Sequence, residues 1–210
     1  MARERQAKKR EDNEVEFSRI VAFSDGVFSI AITLLVLNLH LPDDLKNGEV
    51  AQELWNQREN LLAYGISFAV IGRFWVVHHG FFSGVKAFDA RLIGLNLLYL
   101  GWVALIPFTT EVLGEYASTT AAVVVYASNL AGVVLVAQLM SWDARGAGLT
   151  TMDATDARED LVRSVFIAAV FLLSVGVAFV DPGIAPYIWL LLFVEGRSNL
   201  VRRLTRTASS

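Results

Sequence analysis

The sequence of 210 residues contains no cysteine, so a disulfide framework and a thiolate metal site are both excluded. Its three histidines are His40, His78 and His79. No HExxH motif or i, i+4 histidine pair occurs. Adjacent residues on a helix point about 100° apart, so His78 and His79 are poorly placed to share a metal. There is no GxSxG motif, no Walker loop and no aspartate pair with intramembrane-protease spacing. Ser24-Asp25 with a histidine resembles a hydrolytic triad only in composition, because nothing supplies an oxyanion hole. The expectation is therefore of neither an enzyme nor a cofactor. Basic residues are not interleaved with aromatic ones, which argues against nucleic acid as a partner. The first apolar run lacks a small-residue cleavage site, is long, and carries Asp25 at its head; it is retained as a mature helix rather than a signal peptide.

Charge is scarce where it matters: 19% of the chain is charged and 54% hydrophobic, with a mean hydropathy of +0.47. The apolar residues come in blocks of about 20, the length a helix needs to cross a ~30 Å hydrocarbon core. The pattern predicts an all-α membrane protein with six spanning helices, over residues 17–41, 60–85, 92–113, 118–142, 161–180 and 184–204. Residues 1–16 are a charged lead-in, and residues 207–210 a short tail flanking a membrane domain at 17–206. Residues 42–60 are a polar loop with a short interfacial helix around Val50, Leu54 and Trp55. Residues 86–91 form a tight turn, residues 143–160 a plain polar loop, and Asp181-Pro182-Gly183 a turn.

An even number of helices puts both termini on one side. Of the 18 Lys and Arg residues, only Lys46 and Arg58 fall on the opposite side, and Arg73 falls within a span. The positive-inside rule then makes both termini cytoplasmic, in a multi-pass protein of the plasma membrane. Acids predominate on the outer side (Asp43, Asp44, Glu49, Glu53, Glu111, Glu115, Asp181), where they would concentrate cations. No internal repeat is evident. Six helices leave little room for a channel within one subunit, so a pore lined by the first helix would lie on a symmetry axis between copies.

That first helix carries the chemistry. Asp25 at the head of an apolar span is costly without a partner or a role, whereas Arg19 can also be read as a snorkelling side chain. Asp25, Ser29 and Thr33 recur at i, i+4 and i+8 along one side; the Ser29 and Thr33 hydroxyls either bond the carbonyl one turn back or face water or a cation. Gly26 and Ala31 offer sites of close packing. Ile30, Leu34, Leu37 and Leu41 form an apolar stripe, which is either lipid- or core-facing or, on an axis, a hydrophobic constriction. His78 or His79 on the second helix is placed to bond Asp25 or Arg19, and Asn96 on the third lies at a similar depth. Arg73 sits one to two turns deeper and needs a partner or water.

Arg19-x-x-x-Phe23-Ser24-Asp25, followed by Ser29-Ile30-Ala31-Ile32-Thr33, resembles the signature of the transmembrane protein 175 family of potassium channels. The run Phe74, Trp75, His78, His79, Phe82 and the stretch Leu95 to Phe108 are similar to that family's second and third helices. The resemblance is to the prokaryotic single-repeat members and implies a homotetramer with helix 1 lining a central pore for potassium ions. No TVGYG filter is present, and the family does without one. The resemblance also implies that Ile30 is the constricting position, that Thr33 is a hydroxyl layer favouring potassium, and that Leu34 and Leu37 are further pore layers. It implies a network of Arg19, Phe23, Ser24, Asp25, Trp75, Asn96 and either His78 or His79, tying helix 1 to helices 2 and 3. The partners expected are copies of the chain itself, the lipid bilayer and potassium. The alternative is a proton/cation transporter with Asp25 and His78 or His79 as a relay; a membrane scaffold without transport is a third class.

Overall fold

The computed structural model describes residues 2–42, 45, 46, 48–116, 118–151 and 153–192. Among them are seven α-helices: α1 (Ala2–Leu34), α2 (Val50–Asn56), α3 (Arg58–Ser83), α4 (Ala90–Ala104), α5 (Ile106–Glu115), α6 (Thr120–Gly146) and α7 (Ala154–Ala178). Five stretches are long and apolar enough to cross a membrane, taking α4 and α5 as one span. The sixth span expected at 184–204 begins with a 3-10 segment, Ala185–Leu190, and continues helically through Leu191 and Leu192; the rest lies outside the described residues.

The connections are short, so successive spans alternate in direction. Phe17 of α1 stacks on Phe88 in the α3–α4 turn at 5.9 Å and leans on Phe82 at 6.1 Å, which sets the middle of α1, where its apolar part begins, beside the end of α3. At the other end the Asn38 amide donates to the Pro107 carbonyl at 3.0 Å. Thus α1 runs parallel to the α4–α5 span and antiparallel to α3. The helix α6 is the central post: Val123, Tyr126, Leu130, Val133 and Met140 along it are all buried, and α4, α5 and α7 pack around it. By contrast α1 packs chiefly on α3 and α4 and leaves much of its length uncovered.

Three sequence expectations are corrected. The first span is α-helical only to Leu34, tightens into a 3-10 turn over Leu35–Asn38, and is extended at Leu39 (φ −101°, ψ 93°). Two causes act at this end: the Asn38 side chain is drawn to Pro107, and Pro42 disfavours helical geometry at the residue before it. The third span is not one straight helix. Pro107 lacks the amide that would bond the carbonyl four residues back, and the chain breaks at Leu105 into α4 and α5, whose first turn accommodates the proline. The polar segment 143–160 is mostly helical: α6 runs on to Gly146 and α7 starts at Ala154. What remains is clipped to the α3–α4 turn by Lys86 N–H to Leu149 O at 2.7 Å and Thr151 N–H to Gly84 O at 2.9 Å. Gly148 supplies the positive φ of 69° that lets the chain reverse there. The short helix α2 forms where an interfacial helix is expected, and none of its residues is buried.

α6 packs tightly on α4 at Gly132, where an added Cβ would sit 2.7 Å from the Trp102 ring. Gly132→Val should cost about 1–3 kcal/mol, the usual scale of overpacking, read as a fall in the melting temperature of the detergent-solubilised protein. Gly176→Ala, with nothing within 4 Å of the new methyl, should leave it unchanged or slightly higher.

Candidate functional site

The periodicity of α1 divides it into two faces. Ser24, Phe28, Ala31 and Leu35 recur at i, i+4, i+7 and i+11, and each is buried to 2% exposure or less. This face docks on α3 and α4. The opposite face carries Phe23, Gly26, Ile30, Thr33 and Leu37, all exposed. Ile30 is 60% and Leu37 69% exposed; Leu34 lies at the edge of the same face. Gly26 has nothing within 4 Å of where a Cβ would be, whereas Ala31 is packed. An apolar strip of this length on a membrane helix faces either lipid or copies of itself.

On the buried face the polar groups form a directional chain. His78 Nε2 lies 2.9 Å from Asn96 Oδ1; Asn96 Nδ2 donates to Ser24 Oγ at 3.0 Å; Ser24 Oγ donates to the Ile20 carbonyl at 3.0 Å. A carbonyl oxygen only accepts, so the His78 proton sits on Nε2. Each group donates one bond onward, and three helices are tied at one depth. The imidazole is boxed by aromatic rings: Tyr99 stacks on it at 5.2 Å, with Phe82 at 4.7 Å and Phe28 at 5.3 Å. Asp25 is held separately, accepting from Trp75 Nε1 at 2.8 Å, and His79 lies against the Trp75 ring at 5.6 Å.

Ser24, His78 and Asn96 are thus brought into one cluster, with Asp25 and Trp75 beside it. The histidine in the cluster is His78; His79 is exposed. His78 bonds Asn96 rather than Asp25 or Arg19. Arg19 is exposed and has no ion-pair partner among the described residues, and Phe23 turns to the outward face with Ile30. Thr33 Oγ1 bonds the Ile30 carbonyl at 2.9 Å, so its lone pairs and not its proton are offered outward. No such bond holds Ser29 among the described residues, and its side chain is exposed.

A second polar layer escaped the sequence analysis. Ser67 of α3 pairs with the Tyr126 hydroxyl of α6 at 2.8 Å and with Thr110 of α5 at 2.8 Å, and Asn129 donates to Thr109 at 3.1 Å. The signals were present in retrospect: Thr109-Thr110 directly after Pro107, and Tyr126 and Asn129 three apart on one helix. Both layers tie helices where no water competes.

Compared with known proteins, residues 19–107 match the family model described as endosomal/lysosomal potassium channel TMEM175. A potassium channel of Streptomyces collinus is 38% identical over 174 residues, covering 79% of this chain and 84% of that protein. The crystal structure of a lysosomal potassium-selective channel TMEM175 homolog from Chamaesiphon minutus superimposes with a TM-score of 0.73 at 31% identity, covering 86% of this chain and 95% of that one. A Gallus gallus protein named endosomal/lysosomal proton channel TMEM175 is 38% identical over 108 residues; the match spans 47% of this chain but only 21% of the animal protein.

Removing Asn96 leaves both His78 and Ser24 without their buried partner. Asn96→Leu should therefore destabilise the folded protein by about 1–3 kcal/mol. Trp75→Phe breaks only the more exposed bond to Asp25 and should cost less, below about 1 kcal/mol. Thermal denaturation in detergent ranks the two, and a larger loss from Trp75→Phe would contradict this account of the cluster.

Proposed function

The chain belongs to the TMEM175 family, and from that premise we propose that it is a potassium channel. It conducts passively through a pore lined by the outward face of α1 in four copies. The proposed subunit has six spans, with the sixth running over residues 184–204. Both termini are cytoplasmic in the plasma membrane, and residues 17–206 make up the channel domain. The observation that carries this reading is the division of α1. One face is buried against α3 and α4, while a continuous strip through Ile30, Thr33 and Leu37 is left uncovered.

The physics of such a pore assigns different tasks to its layers. A ring of Ile30 side chains strips water from a cation without replacing it, which is costly in a low-dielectric site. Ile30 is therefore the barrier, and conduction requires the ring to widen or wet. Thr33, the next polar group on the same strip, presents an oxygen whose proton is tied to the Ile30 carbonyl. An acceptor aimed at the axis suits a partly dehydrated cation, so Thr33 is the discriminating layer, with Leu34 and Leu37 completing the lining. Exposed Glu111, Glu115 and Asp181 raise the cation concentration at the outer mouth. Ser24, Asn96 and His78 set the rotation of α1, with Asp25 and Trp75 assisting at the rim. This is transport and not catalysis. A proton relay through Asp25 and His78 would require them in one hydrogen-bonded path. Instead they bond different partners, Trp75 and Asn96.

Potassium and sodium flux from liposomes tests these assignments. Ile30→Asn should raise flux of both ions. Thr33→Ala should lower the potassium-to-sodium ratio roughly fivefold, the equivalent of about 1 kcal/mol for one lost polar contact. Asp25→Asn should reduce assembly or open probability while leaving that ratio unchanged. Wild-type protein that carries protons but no potassium in the same vesicles would overturn the proposal.

A further inference from the structure

The turn that joins α3 to α4 is fastened on three sides. On one side it meets the α6–α7 connection. Three donors converge there on the Gly84 carbonyl: Thr151 N–H at 2.9 Å, Thr151 Oγ1 at 3.1 Å and Thr150 Oγ1 at 3.2 Å. Lys86 N–H donates in return to the Leu149 carbonyl at 2.7 Å, so Val85 and Thr150 face each other as an antiparallel bridge. On the second side Arg91 Nε meets Asp143 Oδ1 at 2.9 Å, which ties the first turn of α4 to the last part of α6. On the third side Phe88 stacks on Phe17 of α1 at 5.9 Å. Under the topology proposed above, this junction is at the cytoplasmic face.

Two features connect this junction to the proposed pore. Phe17 precedes Ser24 by seven residues, which places the two within about 20° of one helical face. The aromatic stack therefore acts on the same rotation of α1 as the buried cluster. The helix α1 also packs chiefly on α3 and α4, so the α6–α7 connection reaches it through the turn between them. A ring of Ile30 side chains widens by a shift or turn of α1, and movement at Phe17 must either carry Phe88 along or break the stack. Phe88 is three residues from Val85 and cannot follow while the bridge to residues 149–151 is closed. We propose that the α3–α4 turn is a brake on the pore helix. The bonds of residues 149–151 to Gly84 and Lys86 hold Phe88 against Phe17, and their release frees α1 to leave the register in which Ile30 closes the axis. The α6–α7 connection, with Thr151 exposed, is the control point. The inference rests on the channel reading for what is braked, but the hold on α1 can be read without conduction.

Because the chain has no cysteine, one engineered disulfide can lock the brake. The two backbone bonds flank Val85 and Thr150 rather than joining them, which is the closer class of antiparallel pair, with Cα atoms about 4.5 Å apart and inside the range a disulfide spans. The full chain carrying Val85→Cys and Thr150→Cys is placed in liposomes, oxidised and then reduced. Oxidised protein should pass potassium about fivefold more slowly than reduced protein, the low end of usual coupling between sites, and reductant should restore the flux. The pair Thr150→Val and Thr151→Val, which removes both hydroxyl donors, should exceed wild-type flux. Failure of the disulfide to form contradicts the facing pair and overturns the proposal. So does equal flux before and after reduction, or a response of either single-cysteine variant as large as that of the pair. A slower flux from the double valine variant in an intact assembly also overturns it. Amide hydrogen exchange over residues 17–24, followed by mass spectrometry, should slow on oxidation; unchanged exchange overturns the hold on α1. Wild type that passes no potassium, while exchange still responds to the lock, counts against the channel reading alone.

Discussion

Hydrogen bonds among three buried side chains, His78 to Asn96 to Ser24, govern the arrangement of this protein. In a membrane the hydrophobic effect does not orient one helix against another, because lipid tails are as apolar as leucine. An apolar helix such as α1 could rotate about its axis at little cost in packing. The cluster removes that freedom. Ser24 must face Asn96, Asn96 must face His78, and the imidazole is fixed by the rings of Phe28, Phe82 and Tyr99. Once Ser24 is turned inward, helical geometry leaves Ile30 and Thr33 outward. The chemistry of the strip and the chemistry of the anchor are thus two consequences of one register.

The anchor is near the start of the membrane span, and a second constraint acts at its end. Asn38 is tied to Pro107 at the head of α5, where the third span bends. The layer of Ser67, Thr109, Thr110, Tyr126 and Asn129 holds α3, α5 and α6 together near that depth. So α1 is gripped at two levels by side chains whose own partners are buried, and the stretch from Gly26 to Thr33 between them is held mainly by packing at Phe28 and Ala31.

Much of this was legible in the residues. The apolar blocks gave the spans, and Asp25, a histidine and Asn96 at matched depth pointed to a polar contact among the first three spans. Three things were not legible, each for a physical reason. Which histidine joins the cluster depends on the rotation of α3, and adjacent residues differ by about 100°; only packing of His78 against Tyr99 and Phe28 decides it. The resemblance placed Trp75 in the network, but that its indole N–H is the partner of Asp25 depends on how α3 is turned against α1. The layer around Ser67 is built of hydroxyls that, taken singly, look like residues bonding their own helix, as Thr109 and Thr110 also do at the Ile106 carbonyl. Pattern identifies a polar residue in a span, but the identity of its partner is a tertiary fact.

One continuous feature extends well past the apolar span. The helix that carries Ile30 starts at Ala2 and is unbroken to Leu34, so at 1.5 Å per residue the Ile30 level is about 40 Å from its first turn. An α-helix is stiff in torsion over that span. A twist applied to its charged leading end therefore travels along the rod as along a drive shaft, past the aromatic contact at Phe17 to the hydrogen-bonded anchor at Ser24. The helix is thus a mechanical input as well as the wall proposed for the pore: whatever grips residues in the lead-in works on the same register that the buried cluster holds.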